Sequence, residues 1–194
     1  MNDKRLLDLA LIGLTAPLYG GALLALTLTV WLGDGRPIFF AQERVGKHRQ
    51  RFRIFKLRTM TTEADPRARR PTRLGQWLRR RGLDEIPQFW SVLRGDMSLV
   101  GPRPLTPEDV DRLVALHPPL AARFAVPPGI TGLSQICQAQ GAQRTAQLDM
   151  YYARERCLRL DLMILGYTAW INLVGKKRGH LDPARASWLS PELG

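Results

Sequence analysis

Asp84 and Glu85 are adjacent carboxylates in the segment Leu83-Asp84-Glu85-Ile86-Pro87-Gln88. Such a pair serves nucleophilic or acid–base chemistry, or holds a divalent cation against a substrate phosphate. Adjacent acids at a helix start are also ordinary capping and dipole partners, and spacing alone leaves both readings open. Lys56 and Arg58 stand two residues apart in a run that alternates like a strand, so they project from one face. Two neighbouring cations form a phosphate site when a third group joins them, and are a solvated patch otherwise. Arg103 sits between Pro102 and Pro104, whose rings fix the backbone around one guanidinium. That setting suits a bidentate clamp on phosphate or carboxylate, and equally a loop-stabilising ion pair. Pro127-Pro128-Gly129-Ile130-Thr131-Gly132 is a second stiff turn, whose glycines either admit a ligand to the backbone or simply connect two elements.

These residues need elements to hold them. Residues 38–45 and 51–60 read as two strands around the turn Gly46-Lys47-His48-Arg49-Gln50, a hairpin that would carry Lys56 and Arg58. A polar loop over 61–71 leads to a helix at Arg73–Arg81, with Leu74, Trp77 and Leu78 on its inner face and Gly82 ending it. Pro87 suits a first helical turn, which places Asp84 near an N-cap. Thr106-Pro107-Glu108-Asp109 opens another helix, and Leu148–Leu158 reads as a further one. Residues 158–174 form an apolar stretch with Asp161, Tyr167 and Trp170, followed by Lys176-Lys177-Arg178. With an internal acid and only 17 residues it is a poor span, and fits a helix lying on the core or on a bilayer surface.

Leu9–Gly33 is a run of 25 residues without a charge. A straight helix of that length extends roughly 37 Å, against about 30 Å for a hydrocarbon core. It is too long for a signal-peptide apolar region, and it lacks the polar stripe of a core helix. Pro17 breaks the helical hydrogen bonding inside it, with Gly13, Gly20 and Gly21 nearby and Thr15 placed to satisfy freed backbone groups. Basic residues flank both ends: Lys4 and Arg5 before, Arg36, Arg44 and Lys47 after. The positive-inside rule draws both ends to the cytoplasm, the larger pull coming from the C-terminal side; a proline-broken re-entrant helix satisfies this, and a kinked spanning helix is the alternative, since membrane helices tolerate proline.

The chain has 194 residues, 45% hydrophobic, with a formal charge of +12 and two cysteines. That composition excludes a disordered or collagen-like chain, a disulfide framework and a four-cysteine zinc site. Cys137 and Cys157 are expected to be buried thiols in a reducing compartment. Residues 36–81 hold fifteen basic and three acidic side chains, so the whole excess of charge lies there. A block this one-sided implies an anionic partner: nucleic acid, lipid headgroups or a phosphorylated substrate. The aromatics of this stretch, Phe39, Phe40, Phe52, Phe55 and Trp77, fall at core-like positions, and no nucleic-acid-binding motif accompanies them. A nucleic-acid partner is therefore not expected.

In chain order, several blocks resemble the bacterial sugar transferase family, the monotopic polyprenyl-phosphate phosphoglycosyl transferases. They are Lys4-Arg5-Leu6-Leu7-Asp8, the run Pro37 to Gly46, Phe55-Lys56-Leu57-Arg58-Thr59-Met60, Thr72-Arg73-Leu74-Gly75 and Asp84-Glu85-Ile86-Pro87-Gln88. The run Gly95 to Pro104, Pro128-Gly129-Ile130-Thr131-Gly132 and Leu148-Asp149-Met150-Tyr151-Tyr152 complete the series. The resemblance implies an α+β fold, mainly helical with a short β-hairpin, anchored by a re-entrant helix and interfacial amphipathic helices. It divides the chain into a membrane helix over 1–35 and a cytoplasmic-face catalytic domain over 36–194, as a minimal form of the family. Ala16 stands where many members carry a serine before the breaking Pro17.

The activity so implied moves a sugar-1-phosphate from a UDP-sugar, a modified N-acetylamino sugar being the first expectation, to undecaprenyl phosphate, releasing UMP. Asp84 would be the nucleophile, Glu85 its assistant, and the two together the ligands of Mg2+. Lys56, Arg58, Arg79 and Arg103 would hold phosphate oxygens; Arg80 and Arg81 would face headgroups; Pro128, Gly129 and Thr131 would border the nucleotide or sugar. The expected setting is the bacterial inner membrane, among its lipids, in lipopolysaccharide or exopolysaccharide synthesis, with a homodimer left open. A non-catalytic adaptor and a phosphohydrolase are the competing readings. The intact Asp84–Glu85 pair argues against the first, and a requirement for the lipid acceptor would exclude the second.

Overall fold

The computed structural model describes residues 3–116, 118–175 and 181. Its first element, α1 (Asp3–Asp34), is one helix that continues through Pro17. It is long and apolar enough to cross a membrane, with a mean hydropathy of 1.9 over its best window. Asp8, Ile12, Tyr19, Leu23, Leu26 and Val30 recur at helical spacing and pack on the rest of the protein. On the other side Leu14, Leu18 and Leu24 are 80%, 77% and 73% exposed, an apolar face that water does not favour. Thr15 donates to the Leu11 carbonyl at 2.7 Å, one turn before its own position, rather than to the Gly13 carbonyl that Pro17 leaves without a donor.

Both ends of α1 are fastened to the same body. Near its start the Asp8 carboxylate accepts from Ser98 Oγ at 2.7 Å and from the Leu99 amide at 3.1 Å. Lys4 pairs with Asp161 at 2.7 Å, and the Arg5 guanidinium donates to the Val92 and Leu93 carbonyls. At its end Thr72 Oγ1 donates to the Asp34 carboxylate at 2.7 Å, while the Arg58 guanidinium donates to the carbonyls of Asp34, Gly35, Pro37 and Met60.

The hairpin forms from β1 (Phe39–Val45) and β2 (Arg51–Leu57), but the second strand ends three residues short of the expected Met60, so Arg58 lies beyond it. In its antiparallel register Phe40 opposes Lys56, Gln42 opposes Ile54 and Arg44 opposes Phe52, so these six share one face. Phe39 and Phe40 are 44% and 40% exposed and Trp77 is 44% exposed, against the expectation that they lie in the core. For Trp77 the reason is local. The helix α2 (Arg73–Arg81) packs through Leu74, Gly75 and Leu78, and Trp77 lies off that stripe. Gly75 is fixed by contact, because a Cβ there would stand 2.2 Å from the Thr59 carbonyl oxygen. Thr72 caps α2 by accepting the Gly75 amide, and Gly82 ends it in the left-handed region at φ 68°.

From Gly82 the chain passes directly into a 3-10 turn, Leu83–Gln88, and then α3 (Phe89–Arg94). Asp84 lies in the first turn of this segment, near its N-cap as expected; the cap residue itself is the left-handed Gly82, which makes no side-chain cap. β3 (Ser98–Val100) pairs in parallel with β4 (Gly129–Thr131), a second small sheet that local pattern did not foretell. α4 (Pro107–Leu116) starts as expected under Thr106, whose hydroxyl accepts the Asp109 amide.

α5 (Leu133–Ile136), α6 (Ala142–Glu155) and α7 (Leu158–Val174) complete the described part. The helix expected over Leu148–Leu158 stops at Glu155, because Arg156 and Cys157 take extended backbone before α7 begins. Cys157 is consequently exposed and Cys137 half-buried, so neither is the fully buried thiol expected. The main core joins Ile54, Val92, Met97, Leu133, Leu148, Tyr152 and Ile164. α7 buries Asp161 and Ile164 while exposing Leu162, Trp170 and Leu173, as an interfacial helix would. Lys176-Lys177-Arg178 lie outside the described residues. The architecture is mainly helical α+β, with two small sheets and one long apolar helix.

Candidate active site

The face of the hairpin that carries Phe40, Gln42, Arg44 and Lys56 forms one wall of a cleft of about 710 Å³. The 3-10 turn packs against β2 and brings Asp84 and Glu85 to that wall. Arg79 comes from the end of α2, Arg103 from the proline-flanked segment, and Arg69 with Thr61 and Thr62 from the 61–71 loop. Six lining residues are cationic and two are carboxylates, so an anionic ligand relieves the imbalance.

Glu85 is the centre of the charge network. Lys56 Nζ stands 2.5 Å from its Oε1, and Arg103 Nη2 stands 3.9 Å from the same atom. Asp84 is only 8% exposed. Burial, and then the charge of Glu85, holds its carboxyl above the ordinary aspartate range, with Lys56 and Arg79 opposing the shift. Arg79 Nε donates to Thr59 Oγ1 at 2.7 Å, which aims the guanidinium along the cleft's edge.

Of the residues singled out in the sequence, Lys56, Arg58, Arg79, Asp84, Glu85 and Arg103 all line this cleft. Arg58 is different in kind, because its guanidinium is taken up by the four backbone carbonyls that lock the end of α1 to the hairpin. It therefore holds the wall rather than offering free donors to a ligand.

The turn at 128–132 does not line the main cleft, but Gly129 and Ile130 border a small pocket at its side together with Arg44, Lys56, Glu85 and Arg103. A Cβ at Gly129 would stand 2.0 Å from the Gly101 nitrogen, and one at Gly101 would stand 2.4 Å from the Pro127 carbonyl oxygen. At both glycines the space a Cβ would need is taken by backbone. Thr131 is buried, its hydroxyl 2.6 Å from that of Thr168.

Sequence reasoning missed the support beneath Arg103. Arg123 Nη2 donates to the Arg103 carbonyl at 2.6 Å. The same nitrogen lies 2.7 Å from Asp149 Oδ2, an ion pair whose angle is not that of a hydrogen bond. Ser134 Oγ donates to the other Asp149 oxygen at 2.7 Å. Burial drives the Arg123 guanidinium below, and the Asp149 carboxyl above, their ordinary values, each opposed by its partner. Asp161 also gains a role: Tyr152 donates to it at 2.6 Å, and Lys4 of α1 completes the link. No local signal marks these ties, because Arg123 and Asp149 stand 26 residues apart in the sequence.

The sequence pattern of the bacterial sugar transferase family matches residues 2–175. The chain is 41% identical over 147 residues to the uncharacterized sugar transferase EpsL of Bacillus subtilis, covering 72% of this chain and 71% of that protein. It is 38% identical over 177 residues to the UDP-glucose:undecaprenyl-phosphate glucose-1-phosphate transferase of Caulobacter vibrioides, covering 84% and 66%. It is 36% identical over 190 residues to the undecaprenyl-phosphate glucose phosphotransferase of Komagataeibacter xylinus, covering 87% and 35%. The chain thus spans from about a third to about two thirds of the length of the latter two relatives. On the match over residues 2–175 and the EpsL identity, the chain belongs to the bacterial sugar transferase family.

Proposed function

We propose that this chain transfers a sugar-1-phosphate from a UDP-sugar to undecaprenyl phosphate, at a membrane surface, through a covalent intermediate on Asp84. The observation that carries the reading is a buried aspartate beside a glutamate at the wall of a cation-rich cleft, in a chain with one long apolar helix. Relatives named as undecaprenyl-phosphate sugar phosphotransferases supply the substrate classes. Their sugars differ, glucose in some and N-acetylgalactosamine in the Aeromonas hydrophila protein. A modified N-acetylamino sugar therefore stands as a proposal beside glucose.

In the first step an Asp84 carboxylate oxygen attacks the sugar-linked phosphorus, and the bond from that phosphorus to the bridging oxygen breaks. UMP leaves with the electron pair. In the second step an oxygen of undecaprenyl phosphate attacks the same phosphorus and displaces the Asp84 carboxylate, giving the diphosphate-linked lipid. Lys56, Arg79 and Arg103 stabilise the phosphate charge, and the low exposure of Asp84 strengthens each contact. Asp84 and Glu85 would hold Mg2+, since two carboxylates suffice for an ion that takes its other ligands from phosphates and water. Their mutual repulsion, which raises Asp84, is what such an ion relieves. When bound it supplies charge neutralisation at the phosphates.

The arrangement of α1 supports a re-entrant membrane helix with the cleft on the cytoplasmic face of the bacterial inner membrane. Both ends are tied to one body by Lys4, Arg5 and Asp8 at the start and by Asp34 at the finish. A spanning helix would need that body on both sides of the bilayer. Single cysteines at Asn2 and Asp34, labelled with an impermeant reagent in sealed vesicles, are expected to react from the same side. Reaction from opposite sides would establish a spanning helix.

The activity is tested by UMP release from a panel of UDP-sugars, with Mg2+, with and without undecaprenyl phosphate. Sustained release that needs the lipid, for one sugar of the panel, is the expected result. Sustained release without the lipid would make the protein a hydrolase, and none from any sugar would favour an adaptor.

A further inference from the structure

Arg44 is a cleft residue with a buried donor that has no hydrogen-bond partner among the described residues. It stands on β1 opposite Phe52, on the same face as Lys56, and lines the cleft beside Arg103 and Glu85. Its Nη1 donates to the Pro104 carbonyl at 3.1 Å and its Nη2 to Gln42 Oε1. Its Nε is buried and has no hydrogen-bond partner among the described residues. An unmet buried donor costs about 1–3 kcal/mol, and more on a charged group, so an acceptor must meet it, and a ligand oxygen arriving from the cleft can take the place of water there.

The charges around it state what that ligand is. Burial, and then the nearby Arg103, push the Arg44 guanidinium below its ordinary value, with Asp109 and Glu85 opposing. Glu85 is already engaged by Lys56 and Arg103. Two guanidiniums that share one carboxylate with Lys56 keep an excess of positive charge, which suits a phosphoryl group whose oxygens accept from both.

We propose that Arg44 and Arg103 together bind a substrate phosphoryl group, with Gln42 orienting the Arg44 guanidinium. This assignment rests on the phosphosugar-transfer reading and adds a binding residue to it. The chemistry is shared by two sources, the diphosphate of the donor and the phosphate monoester of the acceptor. In either case Arg44 holds the group through Nε while Nη1 keeps the Pro104 segment, and so Arg103, in place.

The test is calorimetric titration of the full-length protein in detergent with UDP as the diphosphate probe and farnesyl phosphate as the monoester probe. Arg44→Met is expected to weaken one of the two by about tenfold or more, and the probe affected names the source. Arg44→Lys keeps the charge and loses the fork, and is expected to lie between Met and wild type. Melting temperature is read alongside. If Arg44→Met fails to fold, the Lys variant carries the test. Unchanged affinity for both probes in a folded variant would overturn the proposal, as would a wild-type protein that binds neither. A wild-type protein that binds UDP through Arg44 yet performs no lipid-dependent transfer would leave this site standing and sink the transferase reading instead.

Discussion

Asp84→Asn is expected to lower sustained UMP release by a factor on the order of 10⁴ or more, the scale seen when a covalent nucleophile is removed. The amide is isosteric and carries no charge, so the 3-10 turn and the cleft keep their shape while the attacking oxygen is lost. Folding should not suffer, because burial already disfavours the Asp84 carboxylate and Glu85 repels it. Melting temperature is therefore expected to hold or rise slightly, in the same preparation that has lost activity. Release at the wild-type rate would remove Asp84 from the mechanism and leave the pair a structural feature of the turn.

Arg123→Met is expected to be the most destabilising single change outside the cleft. The Arg123 and Asp149 side chains are 2% and 1% exposed. Removing one member leaves the other charge buried without its counter-ion, which costs about 3–5 kcal/mol. At roughly 2–4 °C per kcal/mol for a chain of this size, the melting temperature should fall by about 6–20 °C. Adding Asp149→Asn removes the stranded charge, so the double variant should recover much of that loss. It does not restore the donor to the Arg103 carbonyl, and its activity is expected to stay below wild type. Equal melting of the single variant and the wild type would mean that the pair contributes nothing net.

How much of this was legible in the sequence divides by the range of the interaction. The hairpin was legible because alternation and a five-residue turn are local, and its register then follows from the turn. α7 was legible as residues 158–174, which is its observed extent. The approach of Lys56, Asp84, Glu85 and Arg103 was available only through family resemblance, since no local rule brings the strand at 51–57 beside the turn at 83–88. Arg44 was passed over as a flanking charge, although its alternation with Gln42 and Phe40 on β1 marks the face it shares with Lys56. The parallel pairing of β3 with β4 was not legible, because it joins two three-residue strands through Gly101 and Gly129 across a connection that contains α4. The same contact shows why the role of 128–132 was not legible: glycine and proline mark a close approach, and only the fold shows that another backbone makes it at Gly129.

The mass of the protein after incubation with Mg2+ and the UDP-sugar that supports release, without the lipid acceptor, decides whether Asp84 is the nucleophile. An adduct of one sugar phosphate is expected, mapped to the peptide containing Asp84, that disappears on addition of undecaprenyl phosphate as the lipid product forms. UMP released by active protein with no such adduct, or with the adduct on another residue, would contradict that role.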